Sequence, residues 1–206
     1  MLIIGLTGSI GMGKTATAAM FREAGVPVFD ADAAVHAIYA GPSAAAVEEA
    51  FPGTLVDGRI DRTRLWAMLD GKPDALKRLE AIVHPLVRAA ESDFLDSCAR
   101  AGARVAVLDV PLLLESRTQE RCDVVVVVTA PADVQRARVL ERGGMSVVKF
   151  EAILARQMPD AEKRARAHAL VPTGRGFPAA RKAVADILRA FAAMPGNVYA
   201  NRRSGL

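Results

Sequence analysis

Gly8-Ser9-Ile10-Gly11-Met12-Gly13-Lys14-Thr15 fits the spacing G-x-x-x-x-G-K-[ST]. Glycines at these positions let successive backbone N–H groups turn inward on an anion, which the positive end of a following helix also favours. Lys14 can reach β- and γ-phosphates, the Thr15 hydroxyl can ligate Mg²⁺, and Ala16 adds a first-turn amide. The pattern predicts a nucleoside triphosphate site formed by Gly8, Gly11, Met12, Gly13, Lys14, Thr15 and Ala16. Two carboxylate positions could complete a transfer reaction. Asp30-Ala31-Asp32 follows a short apolar run and could orient an acceptor hydroxyl or accept its proton, although Asp32 could equally cap a helix. Asp109 ends Val105-Ala106-Val107-Leu108 in the strand-then-Asp form that assists Mg²⁺ beside phosphate loops. Asp123 adjoins a strand at its amino end and is set aside.

These groups need a frame. Continuous apolar runs at 2–7, 26–29, 104–109 and 123–129, with a weaker one at 169–171, read as strands covered on both faces. Helical stretches alternate with them, predicting a doubly wound α/β fold with a five-stranded parallel sheet, whose ligands sit beyond the strands' carboxyl ends. The first helix is expected at 16–22. The interval from Phe29 to Arg104 is too long for one crossover or a bare loop, and reads as helices over 32–39, 44–51, 62–69, 74–83 and 85–99. The last of these is read as starting at Pro85, after His84. A second feature spans 132–156, where Gln135, Arg136, Arg138, Arg142 and Arg156 flank Gly143-Gly144. It reads as a hinged helical lid bearing arginines, or as a solvated basic face. The expected organisation is a nucleotide core (1–30, 104–131, 158–194), a helical acceptor-binding insertion (31–103), a lid (132–157) and a flexible tail (195–206).

Bulk properties remove several classes. Of the 206 residues 51% are hydrophobic and 24% charged, as in ordinary globular domains. With 5% aromatic residues and no long basic run, the +4 net charge does not suggest a nucleic-acid platform. Arginine outnumbers lysine 21 to 6, which suits bidentate phosphate binding but also follows from coding bias. Cys98 and Cys122 are far apart and read as reduced thiols. No signal peptide or membrane span is read, so a cytoplasmic protein with no membrane, nucleic-acid or obligatory protein partner is expected.

Three phosphate-loop classes compete. A GTPase would carry N-K-x-D or T-K-x-D, yet Asn197 and Asn201 are not followed by Lys and no Thr-Lys occurs. No L-S-G-G-Q-like signature of a transporter ATPase is present. Small size, an insertion and an arginine lid favour a small-molecule kinase.

Here the residues become specific. Gly5 to Thr15, Phe29-Asp30-Ala31-Asp32, Ile60-Asp61-Arg62 with Leu65, and His84-Pro85 form the first part of a pattern. Asp109-Val110-Pro111-Leu112-Leu113-Leu114-Glu115, then Gln135 with Arg138 and Arg142, continue it. Arg156-Gln157-Met158-Pro159, Glu162-Lys163 and Ala167 complete it. Together they resemble the dephospho-coenzyme A kinase family, over nearly the whole chain. The resemblance implies a P-loop kinase fold and transfer of the ATP γ-phosphate, with Mg²⁺, to the ribose 3′-hydroxyl of dephospho-coenzyme A. It implies Asp32 as catalytic carboxylate, Lys14, Arg138 and Arg142 as phosphate-contacting catalytic residues, and Thr15 as metal ligand, to which the strand-end position adds Asp109. It also implies that Asp32, His84 and Arg88 contact the acceptor, although His84 could simply position the turn before Pro85. His36 and His168 are read as structural. Met12 and Thr15 replace serines frequent in the family, without threat to activity. Thr173 stands where Asn is expected in the segment that would border the base, so base preference is what the departure touches. Another kinase with a nucleoside or sugar acceptor, or a nucleotide-binding switch, remains the alternative.

Overall fold

The computed structural model describes residues 1–204. Five strands build one sheet: β1 (Leu2–Thr7), β2 (Val28–Asp30), β5 (Val105–Asp109), β6 (Val124–Thr129) and β7 (Ala169–Pro172). Their order is β2-β5-β1-β6-β7, all parallel. Chain direction across the sheet reverses around β1, so the loop leaving β1 opens at a topological switch point, where such sheets bind ligands. All six residues of β6 are buried, as its unbroken valines require of a strand covered on both faces.

Two compact units result, Met1–Phe29 with the chain from Cys98 onward, and Asp30–Ser97. In the first, α1 (Lys14–Glu23) follows the loop after β1, and α6 (Ala132–Leu140) and α7 (Val147–Leu154) follow β6. The short α8 (Asp160–Ala165) leads into β7, and α9 (Phe177–Phe191) packs against β7 and α1. Ala180, Val184 and Ile187 are the buried stripe of α9, at helical spacing, and join Ile4, Leu6, Phe21 and Val126 in the core. Val26 is not strand, contrary to expectation. Its N–H closes the end of α1 on the Phe21 carbonyl at 3.0 Å, after Gly25 at φ +78°, which is a glycine helix stop.

The second unit holds α2 (Ala31–Ala40), α3 (Ala44–Ala50), a hairpin of β3 (Leu55–Val56) and β4 (Arg59–Ile60), α4 (Arg62–Leu69) and most of α5 (Pro73–Arg100). The hairpin was not expected, though Asp57-Gly58 between the strands is its signal, both residues having positive φ as a two-residue turn demands. The Glu48 carboxylate steadies its entry by accepting from Gly53 N at 2.7 Å and Leu55 N at 2.6 Å, which holds it below its usual range. The break expected at Pro85 is absent, and α5 is one helix with Pro85 inside it. Proline forgoes one backbone donor there, and burial of Leu79 and Val83 in the unit's core supports the helix across that position.

The expected flexible tail is also corrected. Within 195–206 the chain forms α10 (Val198–Ser204), which packs against β1; Gly205 and Leu206 lie outside the described residues. Asp123 makes this docking possible. Its Oδ1 accepts from Asn197 N at 2.7 Å and Val198 N at 3.0 Å, and its Oδ2 from Ile3 N at 2.8 Å. One carboxylate thus caps the entry to α10 and the edge of β1. Gly196 passes so close to the backbone of Met1 and Leu2 that a Cβ has no room.

Glu115, in the loop after β5, carries a second buried tie. Its Oε1 lies 2.8 Å from Nζ of Lys163, whose side chain has no exposed surface, and accepts from Met158 N at 2.9 Å. Burial pushes the Glu115 carboxyl upward, but these two partners outweigh it and hold the group below its ordinary 4.5.

Two outcomes follow for stability. Asp123→Ala, which orphans three N–H groups, is expected to cost about 1–3 kcal/mol in urea unfolding and to expose the α10 segment to limited proteolysis; Asp123→Asn costs less. Because the Glu115 pKa is depressed on folding, its contribution is present above the unfolded value and disappears as pH falls through the folded one. Wild-type stability is therefore expected to decline from about pH 4.5 downward, and Glu115→Gln to be less stable at neutral pH with a flatter acid limb. Superimposable acid limbs in the two proteins would refute that assignment.

Candidate active site

The phosphate loop leaves β1 buried and enters α1 through Gly13, at φ +93°. No side chain caps α1, so its first-turn amides are left to an anion. Gly11 has φ +77°, and a Cβ there would meet Val139 Cγ2 and the Gln135 carbonyl, so the loop's shape depends on bare backbone. Met12 is buried, its Sδ accepting from Ala130 N at 3.1 Å. This explains why a methionine serves at that position: it anchors the loop to the end of β6 and presents only backbone on the other side. Lys14 Nζ lies 2.6 Å from Asp109 Oδ1, with the carboxylate buried at the end of β5. Thr15 is exposed beside it.

Beside the loop is a cavity of about 320 Å³ that collects Gly11, Gly13, Ala16, Arg138, Arg142 and Thr173. Met20 and Phe177 add apolar wall. Arg138 is fixed by a two-point grip on Thr173, with Nη1 donating to Oγ1 and Nη2 to the carbonyl, both at 2.9 Å. The Thr173 hydroxyl in turn donates to the Met12 carbonyl at 2.7 Å. Its single proton is thereby used. Thr173 lines the nucleotide-side cavity, but its hydroxyl braces the loop and the arginine instead of facing a ligand. Arg142 is exposed, and its guanidinium has no hydrogen bond or ion pair among the described residues. Arg136 turns away to Glu151 of α7, at 3.3 Å.

The second unit contains its own cavity, of about 520 Å³. Asp32, His36, Tyr39 and Arg62 supply polar groups, and Leu65 and Trp66 are among its apolar lining. Asp30, not Asp32, caps α2, accepting from Ala33 N at 2.9 Å. That corrects the capping alternative for Asp32, which sits exposed in the first turn, its carboxylate without hydrogen bond or ion pair among the described residues. Arg62 Nη1 approaches His36 Nε2 at 3.0 Å. A guanidinium can only donate, so Nε2 is the acceptor and the His36 proton resides on Nδ1. Asp61 sets up this pair by capping α4 through Thr63 N and Arg64 N, which places Arg62 at the first helical position. Burial raises the Tyr39 phenol above its usual 10.0, with Arg62 opposing that effect.

The structure thus brings the predicted nucleotide residues together in one unit and places Asp32 in a cavity of the other. His84 and Arg88 are exposed on α5 and line neither cavity. His168, read as structural, accepts from Val125 N through Nδ1 at 3.0 Å. His36, read as structural, lines the Asp32 cavity, a difference that its position one turn after Asp32 could have signalled. Tyr39, Arg62 and Trp66 were missed as site candidates; Trp66 is 61% exposed, unusual for the chain's single tryptophan. Among the described residues no helix is long and apolar enough to cross a membrane.

Comparison with known proteins agrees with this architecture. The family model for dephospho-CoA kinase (CoaE) matches residues 2–175. A dephospho-CoA kinase of Rhodopseudomonas palustris (strain HaA2) is 55% identical over 195 residues, 95% of this chain and 98% of that protein. One from Mesorhizobium japonicum is 57% identical over 188 residues, 91% and 95% of the two chains. The crystal structure of TT1252 from Thermus thermophilus superposes with a TM-score of 0.80 at 34% identity, covering 95% of this chain and 98% of that one. A shikimate kinase from Bacteroides thetaiotaomicron, at 16% identity, a TM-score of 0.51 and coverage of 93% and 98%, shares the fold. With its phosphate loop, its Asp-x-Pro-Leu-Leu-x-Glu loop and its Arg-Gln-Met-Pro turn all in place, the chain belongs to the dephospho-CoA kinase family.

Proposed function

We propose that the chain performs its family's reaction through two separately built half-sites: ATP binds at the phosphate loop, and dephospho-coenzyme A binds in the Asp32 cavity. The observation that carries this reading is the pair of cavities. One is framed by uncapped amides and two arginines, the other opens on a carboxylate that no neighbour occupies. The base of ATP lies against Met20 and Phe177, and the acceptor's apolar portion against Leu65 and Trp66, with Arg62 facing its phosphates.

In the transfer, the ribose 3′-hydroxyl oxygen bonds to the γ-phosphorus as the bond from that phosphorus to the β,γ-bridging oxygen breaks, its electron pair leaving with ADP. Asp32 orients the hydroxyl and takes its proton. Lys14, Arg138 and Arg142 neutralise charge on the phosphoryl oxygens. The exposed Thr15 hydroxyl and the Asp109 carboxylate are hard oxygen donors beside the phosphates, a set that fits Mg²⁺. Bound there, Mg²⁺ would supply charge neutralisation at the β- and γ-oxygens. His84 and Arg88 act, on this reading, outside the cavity, along the exposed face of α5. We assign the protein to the cytoplasm, where its buried thiols Cys98 and Cys122 remain reduced.

Coupled ADP release is expected to require dephospho-coenzyme A, and product mass to rise by one phosphoryl group; acceptor-independent hydrolysis would overturn the assignment. Asp32→Asn is expected to lower kcat by about 10²-fold or more with substrate KM values largely kept, whereas Asp30→Asn removes only a helix cap's charge and keeps most activity. Near-normal turnover by Asp32→Asn refutes its role. Arg138→Ala and Arg142→Ala are each expected to reduce kcat/KM for ATP by roughly 10- to 10³-fold, and unchanged kinetics would return them to the solvent-facing reading.

A further inference from the structure

Two glutamines from opposite ends of the arginine-bearing segment meet on one residue of the phosphate loop. Gln135 of α6, 4% exposed, donates from Nε2 to the Ile10 carbonyl at 2.7 Å. Gln157, three residues past α7, accepts from Ile10 N at 3.0 Å. Ile10 therefore spends both backbone groups on side chains about a hundred residues or more away in sequence, and offers neither to a ligand. Backbone polarity fixes both amide orientations, since a carbonyl needs a donor and an N–H an acceptor. Carboxamides meet these needs without bringing a charge to a site that must receive an anion.

The position of Gln157 is itself secured. Glu115 holds the next residue, Met158, by its N–H at 2.9 Å while pairing with buried Lys163. Two residues beyond that, Asp160 Oδ2 accepts from the Thr129 hydroxyl at 2.8 Å. Glu115, at the far end of the Asp-x-Pro-Leu-Leu-x-Glu loop, and the Arg-Gln-Met-Pro turn, neither of which the transfer chemistry uses, thus act together on the phosphate loop through Gln157.

We infer that Gln135 and Gln157 are positioning residues, a clasp on Ile10 that holds the phosphate loop in its anion-receiving shape and ties both ends of the arginine-bearing segment to it. They act on the nucleotide's phosphates through the loop and do not touch the nucleotide. The inference rests on the phosphate-loop reading above. Its consequence is selective: losing the clasp weakens binding in proportion to phosphates held by the loop, and spares the contacts made by the base.

The test compares ADP with AMP by calorimetry on the full-length protein, wild type against Gln135→Met and Gln157→Met, which keep length but lose the amide. Wild-type binding of ADP checks the nucleotide site itself, so its absence would count against that reading and not against the clasp. Each variant is expected to bind ADP about tenfold more weakly, with AMP affinity unchanged, and to raise the KM for ATP without raising that for dephospho-coenzyme A. The double variant is expected to lose less than the product of the two single losses, because both side chains serve one residue. Equal losses for ADP and AMP, unchanged ADP affinity, or strictly multiplicative losses would overturn the clasp. Where a methionine variant does not fold, Gln→Asn at that position is measured instead, since it keeps the amide but withdraws it by one methylene. ADP-selective loss then supports the clasp, and its absence refutes it.

Discussion

A backbone that must present bare N–H groups to an anion cannot use those groups to hold itself together. This constraint governs the molecule. Gly11 and Gly13 adopt positive φ, α1 has no side-chain cap, and among the described residues the one backbone tie within the loop is Met12 N to the Ser9 carbonyl at 3.1 Å. Order has to come from outside. It arrives from β6 through Met12 Sδ, from the end of β7 through Thr173, from β5 through Asp109 on Lys14, and from the arginine-bearing segment through Gln135 and Gln157. The ties through Met12, Thr173 and Ile10 use groups other than the first-turn amides of α1, while Asp109 holds the Lys14 ammonium.

Seen from that constraint, several buried polar groups make sense. Lys163 is fully buried in a unit otherwise cored by Val, Leu, Ile and Phe, a placement tolerated only with a partner, and Glu115 is that partner. The pair's value lies less in net stability than in location, because Glu115 also fixes Met158 and so the turn that delivers Gln157. Thr173 shows the same economy. Its one hydroxyl proton goes to the loop, its lone pair to Arg138, and so the loop and an arginine are positioned by a single side chain.

The insertion follows a different logic. Its core of Val47, Phe51, Leu65, Leu79 and Val83 gives it a compact body of its own, and Asp32, His36, Tyr39 and Arg62 gather at one cavity. Asp30 takes the capping duty that would otherwise occupy Asp32. Adjacent carboxylates with divided labour, one structural and one free, are a local solution that depends on which of them precedes the first helical residue.

Strands, alternation and the phosphate loop were legible in sequence because they rest on local rules: β1 spans 2–7 as read, and valine runs imply burial on both faces. Local rules failed where longer-range packing overrode them. Pro85 reads as a helix start, yet apolar spacing on either side carries α5 through it; residues near 195–204 read as free, yet Asp123 captures them from 74 and 75 positions away. Asp57-Gly58, lying between the helices expected at 44–51 and 62–69, carries a hairpin-turn signal that the sequence reading does not use. By itself, then, the sequence determined the phosphate-binding chemistry, the sheet and, through its motifs, the family. Tertiary structure alone decided that Asp30 caps and Asp32 stays free, that His36 pairs with Arg62, and that two glutamines close on Ile10. The first outcome turns on where the backbone starts α2, and the other two on hydrogen bonds between groups remote in the chain, which no residue type or spacing encodes until packing brings the elements together.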